Sequence, residues 1–373
     1  MRTIKAQPLL LTGGLVISLL LGTPAVRAQG QVVSLQTQDV NERLTELLET
    51  GRELVDNQEF EQALVIYQQA AQLEPENAQI FSGIGYLHAR QENFQAAVTA
   101  YQQALTLEPD NDDFLYAMGF ILAQAEDYAG AAESYRRLLS LDDTNVQAWQ
   151  GLGVVSMRIK NYPEAMQAFE TIASLQPNNP DVQEMIAALL IQQGEFEDAI
   201  AALRKAEAIV PRRSSIQLNL GVAWVNLNDI ETGLNAFRRA ADYAPLDPRP
   251  HLQIGDILRA QGDLVHAARS YQRAAALQPD LAEAHALAAD VYFDQGDFLR
   301  AVVAYREVIR LLPNEPQAYY RLARSLQGRD RVAEATEVYN QARQLFEQQG
   351  NRDGLRRVDE QLAELNGDPS DED

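Results

Sequence analysis

Proline returns on a fixed step of 34 residues. Pro75, Pro109, Pro177, Pro211, Pro245, Pro279 and Pro313 all stand on it, and the one missing rung, at 143, holds Asp143. Several of these prolines close the same short phrase, Leu-x-Pro, beginning at Leu73, Leu107, Leu175, Leu277 and Leu311. Such a period constrains the fold more than any other feature of the chain. A unit of this size cannot bury its apolar face alone and is stable only when copies stack. Counting back from each proline gives nine units with no insertion or deletion: 44–77, 78–111, 112–145, 146–179, 180–213, 214–247, 248–281, 282–315 and 316–349.

Other columns keep the same step. The eighth place of each unit reads Gly51, Gly85, Gly119, Gly153, Ala187, Gly221, Gly255, Ala289, Ala323. The twentieth is alanine throughout, from Ala63 to Ala335, except Gly233. The twenty-fourth is mostly aromatic: Tyr67, Tyr101, Tyr135, Phe169, Phe237, Tyr271, Tyr305 and Tyr339, with Leu203 in the fifth unit. Glycine inside a helix costs on the order of 1 kcal/mol relative to alanine. Its recurrence therefore points to a steric need where two helices of a unit cross, and the aromatic column supplies bulk to fill the gap between units. The phrases "QENF", "AEDY", "IKNY", "QGEF" and "QGDF" read as turns, with Gly194, Gly262 and Gly296 placed to leave the first helix. Proline at place 32 lacks an amide hydrogen, so it stops the second helix.

In these columns the chain resembles the tetratricopeptide repeat family over about 306 of its 373 residues. The resemblance implies an all-α fold: a right-handed α-α superhelix of about nine helix-turn-helix repeats. A solenoid needs polar lids. At the front, "QDVNERLTELLETG" reads as an extended first helix capped by Asp39 or Asn41. At the back, 350–366 is expected to form a capping helix, with Leu355, Val358, Leu362 and Leu365 at helical spacing. The solenoid then runs over 39–349, preceded by a disordered segment at 29–38 and followed by an acidic disordered tail at 367–373.

Residues 1–28 read as a signal peptide. Arg2 and Lys5 precede an apolar run from Leu9 to Leu21, and Val26 and Ala28 place small residues before a cleavage point. That run is shorter than the roughly 20 residues a spanning helix needs. No stable membrane span is expected after cleavage, and an exported chain, periplasmic or secreted and bacterial in character, follows. Without Arg2, Lys5 and Arg27 there remain 28 basic side chains against 53 acidic ones, a balance of −25. Such a charge repels nucleic-acid phosphates, so no nucleic-acid partner is expected. Cysteine is absent, which removes disulfides, zinc–thiolate sites and thiol nucleophiles.

No catalytic, cofactor or metal constellation stands out. The Gly-x-Gly of "GIGYLH" and "GLGVVS" falls inside first helices with no strand before it. His251 and His285 share place 4 of neighbouring units, but adjacent helices lie roughly 8–10 Å apart, too far for a shared metal without a third ligand. With no nucleophile or acid–base motif, a non-enzymatic chain with no cofactor is expected.

The resemblance further implies that places 2, 5, 9, 12 and 13 of the first helices face a groove. Read there, the chain offers Tyr86, Arg90, Tyr116, Phe120, Val154, Met157, Arg158 and Ile191 as a partner-binding set, with Val222, Val225 and Asn226 beyond them. The aliphatic members of this set are also suited to pack on the neighbouring helix as core. Units seven to nine offer a more polar row: Asp256, Arg259, Glu283, Asp290, Asp294, Tyr320 and Arg324. Some family members grip an acidic peptide end with lysines, an arginine and asparagines at matching places of consecutive units. No three units here supply that set; Asn219, Gln317 and Arg321 are isolated fragments of it. The expected function is a protein–protein interaction scaffold holding a partner peptide or helix, in envelope assembly or maturation. The alternatives are a self-associating homo-oligomer and an accessory subunit of an envelope enzyme complex.

Overall fold

The computed structural model describes residues 24–367, and its described residues form nineteen helices and no strand. The chain divides into two units, Met1–Gly151 and Leu152–Asp373. The first holds α1 (Pro24–Asp56), α2 (Phe60–Leu73), α3 (Ala78–Arg90), α4 (Phe94–Leu107), α5 (Asp112–Gln124) and α6 (Tyr128–Leu141). The division falls within α7 (Val146–Arg158). The second unit continues with α8 (Tyr162–Leu175), α9 (Pro180–Gln193), α10 (Phe196–Ile209), α11 (Ser214–Asn226) and α12 (Ile230–Tyr243). It ends with α13 (Arg249–Ala260), α14 (Leu264–Leu277), α15 (Ala282–Asp294), α16 (Phe298–Leu311), α17 (Pro316–Gln327), α18 (Val332–Gln348) and α19 (Arg352–Asn366). Within each unit neighbouring helices pack in sequence, α3 on α4 and α5 on α6 in the first, α9 on α10 through α17 on α18 in the second. The fold is therefore all-α, built from about nine consecutive helical pairs and a final helix.

Side-chain caps fix the start of about half of the helices. Asn77 and Asn179 accept the amides of Gln79 and Asp181, and Asn111 accepts that of Phe114, at the starts of α3, α9 and α5. Asp127, Asp229, Asp263 and Asp297 do the same for the second helices α6, α12, α14 and α16. Each such cap stabilises its helix by about 1 kcal/mol. The turn between paired helices always passes through a left-handed residue. Gly194, Gly262 and Gly296 occupy it in three units, and Gln58, Glu92, Glu126, Lys160, Asn228 and Asp330 occupy it elsewhere with φ near +60°.

The aromatic column acts as a wedge. Tyr67 lies between Gly51 of its own pair and Gly83 of the next, where an added Cβ would come 2.7 and 2.5 Å from the ring. Tyr135 lies in the same way between Gly119 and Gly151, at 2.8 and 2.4 Å. The column of small residues at place 20 is buried, and a Cβ on Gly233 would strike Val225. Bare backbone on both sides lets one ring fill the joint, and burying such a ring contributes about 2–3 kcal/mol.

The front end differs from expectation. α1 runs back to Pro24, so neither Asp39 nor Asn41 caps it; the helix passes through both, and Thr45 donates its hydroxyl to the Asn41 carbonyl within it. The stretch 29–38, expected as a disordered segment, is helical backbone continuous with α1. Residues 1–23, which carry most of the expected leader, and 368–373 lie outside the described residues. At the other end Val358 of α19 is buried, and Leu355, Leu362 and Leu365 pack on the core formed by α13–α18.

Candidate partner-binding surface

Off-stripe aromatics define the candidate surface in the first unit. The buried stripe of α3 is Ile80, Ile84, Gly85 and Leu87, and that of α5 includes Leu115, Met118, Gly119 and Leu122. Tyr86 and Phe120 fall beside these stripes at the same place of consecutive first helices, and they stay 37% and 48% exposed. Tyr116 is half-buried, its ring 6.0 Å from that of Tyr135 at 56°. Burial raises the Tyr116 hydroxyl above its ordinary range. Burial likewise pushes Tyr101 up, with Tyr86 and Asp113 close enough to add to the effect, so α3, α4 and α5 bring these groups together. Arg90 ends α3 exposed, its guanidinium 5.0 Å over the Phe60 ring.

The remaining four of the eight expected residues lie in the second unit. Val154 is 45% exposed on α7, Met157 is half-buried and Arg158 is exposed. Ile191 is half-buried and packs on the core of α9, α10 and α11, and Val222 and Val225 pack on the next core segment. The aliphatic residues therefore split: Val154 is surface, while Ile191, Val222 and Val225 are partly core. A second-helix groove of about 640 Å³ also opens between α8 and α10, floored by Met166, Ile186 and Leu190 and flanked by Lys205.

Further along, polar side chains tie the first helices to the aromatic column. The Tyr271 hydroxyl donates to Asp256 at 2.7 Å, and Tyr305 donates to Asp290. Arg259 pairs with Asp294 at 3.0 Å. An aspartate at place 9 together with a tyrosine at place 24 is the signal in the sequence for this bond. A second recurrent bond was not foreseen. The place-4 side chains Trp149, His285 and Tyr319 each reach the carbonyl six residues earlier, at Asp143, Pro279 and Pro313, over 2.7, 3.1 and 3.0 Å. The column of ring-borne donors at place 4 was its legible trace.

The sequence decoys resolve into packing. Gly83, Gly85, Gly151 and Gly153 face Tyr67, Tyr101, Tyr135 and Phe169. His285 is held on the Pro279 carbonyl, and His266 lies 2.7 Å from Asp263 at the start of α14. Among the described residues no three His, Asp or Glu side chains are grouped to hold a metal, and no helix is long and apolar enough to cross a membrane.

Comparison with known proteins agrees with this architecture. Family models described as tetratricopeptide repeat match residues 48–114, 122–189 and 184–232, and one described as TPR repeat matches 255–296 and 289–328. No curated protein matches the chain. Among solved structures, a tetratricopeptide repeat protein from Parabacteroides merdae is 18% identical, with a TM-score of 0.55 over 67% of this chain and 99% of its own; it supports the fold alone. MamA protein is 23% identical with a TM-score of 0.42 over 44% of this chain and 91% of its own. YrrB, described as a TPR protein with an unusual peptide-binding site, is 19% identical with a TM-score of 0.41 over 48% and 92%. With paired helices, bare-backbone joints and family matches along most of its length, the chain belongs to the tetratricopeptide repeat family.

Proposed function

We propose that the chain is a non-enzymatic scaffold that holds a segment of a partner protein on the first-helix surface around Tyr86, Tyr116 and Phe120. The observation that carries this reading is the exposure of Tyr86 and Phe120, two large rings at one place of consecutive repeats. Rings of this kind serve as anchors at protein interfaces, and an exposed apolar surface rimmed by polar residues suits a peptide or helix. Charge narrows the partner. Residues 40–151 hold five arginines, no lysine and nineteen acidic side chains, a field that favours approach of cationic segments. The test is a quantitative pulldown comparing the native chain with Tyr86→Ala/Phe120→Ala, with melting curves as the control for folding. Loss of partner from a variant of unchanged stability supports the reading, and equal recovery removes it.

The leader places this scaffold outside the cytoplasm in our reading, in envelope assembly or maturation. N-terminal sequencing of the mature protein tests it: a first residue of Gln29 is expected, and an intact Met1 in the cytoplasmic fraction sinks it.

A second reading, self-association, is favoured by the outward-facing Leu299 and Val303 of α16, 57% and 64% exposed. Sedimentation of the native chain at micromolar concentration decides it, and a clean monomer rejects it.

A further inference from the structure

Charge follows the repeat, and its sign differs between the two units. In the second unit, the last three turns of α10, α12 and α14 (199–209, 233–243 and 267–277) are basic. They carry Arg204, Lys205, Arg238, Arg239, Arg269 and Arg273 against two acids, Glu207 and Asp242. Lys205, Arg239 and Arg273 hold the same place, 26, of three consecutive repeats. Glu207 is engaged by Arg204 and Gln217, and Arg239 stands 3.9 Å from it. Lys205 shares the rim of its groove with Glu170 and Asp198 and forms an ion pair with neither. Lys205 and Arg273 are both exposed.

In the first unit the repeat joints are acidic. The stretches 74–77, 108–113 and 142–145 hold eight carboxylates and no base. Among the described residues only one of the eight, Asp110, pairs with an arginine, Arg137. Glu74, Glu108 and Asp142 share place 31 of consecutive repeats, each as the C-cap of a second helix. Glu74 and Glu108 accept from the side-chain amides of Asn77 and Asn111 at 2.7 Å, and Asp142 accepts from the Thr144 hydroxyl at 2.6 Å. These carboxylates are therefore held in position. An anion at a helix C-terminus also meets the negative end of the helix dipole, which an incoming cation relieves.

Each ladder steps by one repeat within its own unit. Neighbouring helices lie about 8–10 Å apart, close to the screening length of about 8 Å at physiological ionic strength. Rungs of opposite sign that meet in pairs therefore reinforce one another.

We infer that a second copy of this chain occupies the basic face of α10, α12 and α14, with its own acidic joints at Glu74, Glu108 and Asp142 meeting Lys205, Arg239 and Arg273. The contact is heterologous, because each copy offers one basic and one acidic ladder, and association runs head to tail. It uses neither Tyr86 nor Phe120, and its surface is not the Leu299–Val303 face of α16. Its failure leaves the partner-binding reading untouched.

Sedimentation velocity at physiological salt and rising concentration tests it, with Lys205→Glu/Arg273→Glu and Glu74→Lys/Glu108→Lys as reversed ladders and melting curves as the control for folding. The native chain should sediment faster as concentration rises. Each variant alone should stay monomeric. The two mixed in equal amounts should regain the rise, because acid again meets base on both ladders. If one variant melts early, the other variant and the salt response of the native chain still decide the matter. A native chain that stays monomeric overturns the inference, including one that instead pellets with phosphatidylglycerol vesicles. Association that survives in either variant alone, or in 1 M salt where screening is about 3 Å, overturns it as well. So does a mixture that stays monomeric while both variants melt like the native chain.

Discussion

A Cβ added to Gly119 would stand 2.8 Å from Cε1 of Tyr135, inside the closest approach real side chains adopt. The ring and the bare backbone are one interlocking part, and its copies recur at Gly51–Tyr67, Gly85–Tyr101, Gly221–Phe237 and Gly255–Tyr271. Alanine occupies the same place in α15 and α17 opposite Tyr305 and Tyr339, so one carbon can be absorbed by a shift of the ring. A branched side chain cannot. Gly119→Leu should cost at least about 2 kcal/mol by overpacking, seen as a lower midpoint in thermal or urea melts. An unchanged melt would contradict the register.

The six non-glycine left-handed turns store strain. A side chain in that conformation costs about 1–2 kcal/mol, part of which glycine returns as entropy of the unfolded chain. Glu92→Gly and Lys160→Gly should each stabilise the chain by about 0.5–1 kcal/mol, and Gly262→Ala should destabilise it. Melting temperatures of the three variants check the signs together.

Place 4 makes an interchangeable bond. His285→Leu strips the Pro279 carbonyl of its donor and should cost about 1 kcal/mol. His285→Trp and His285→Tyr should lose less, because Trp149 and Tyr319 already make the equivalent bond. Denaturant midpoints of the three variants rank them.

His251 supplies a pH dependence of defined sign. Burial lowers its imidazole below the ordinary value, Arg273 adds to this, and Asp247 opposes only part of it. A base with a depressed folded pKa favours folding in its neutral form. Its contribution is complete above the unfolded pKa of about 6.5 and is lost as pH falls through the folded value. Melting temperature between pH 7 and 5 should fall less steeply in His251→Gln than in the native chain.

Much of this was legible in the text of the chain, and the reasons for the rest are physical. The proline step and the Gly–Tyr columns gave the helical pairs because each column reports a steric demand that only a few residue types meet. The left-handed turns were legible at Gly194, Gly262 and Gly296 but not at Glu92 or Lys160, where helix packing on both sides forces a conformation the residue does not favour. The course of α1 through Asp39 and Asn41 was misread because residue types that suit a cap are also tolerated inside a helix, at a cost below about 1 kcal/mol each. The exposure of Tyr86 and Phe120 follows from their place in the repeat, beside the buried stripe of each first helix. Whether an aliphatic residue such as Ile191 or Val154 is core or surface depended on neighbours the sequence does not show.

The central claim is that partner contact falls on the first-helix face of the early repeats. Photo-crosslinking from a benzophenone side chain at Phe120, with Thr99 on the exposed face of α4 as the comparison, measures it most directly. The account predicts a discrete partner adduct from position 120 and none from 99. Adducts from 99 alone, or equal adducts from both, would contradict it.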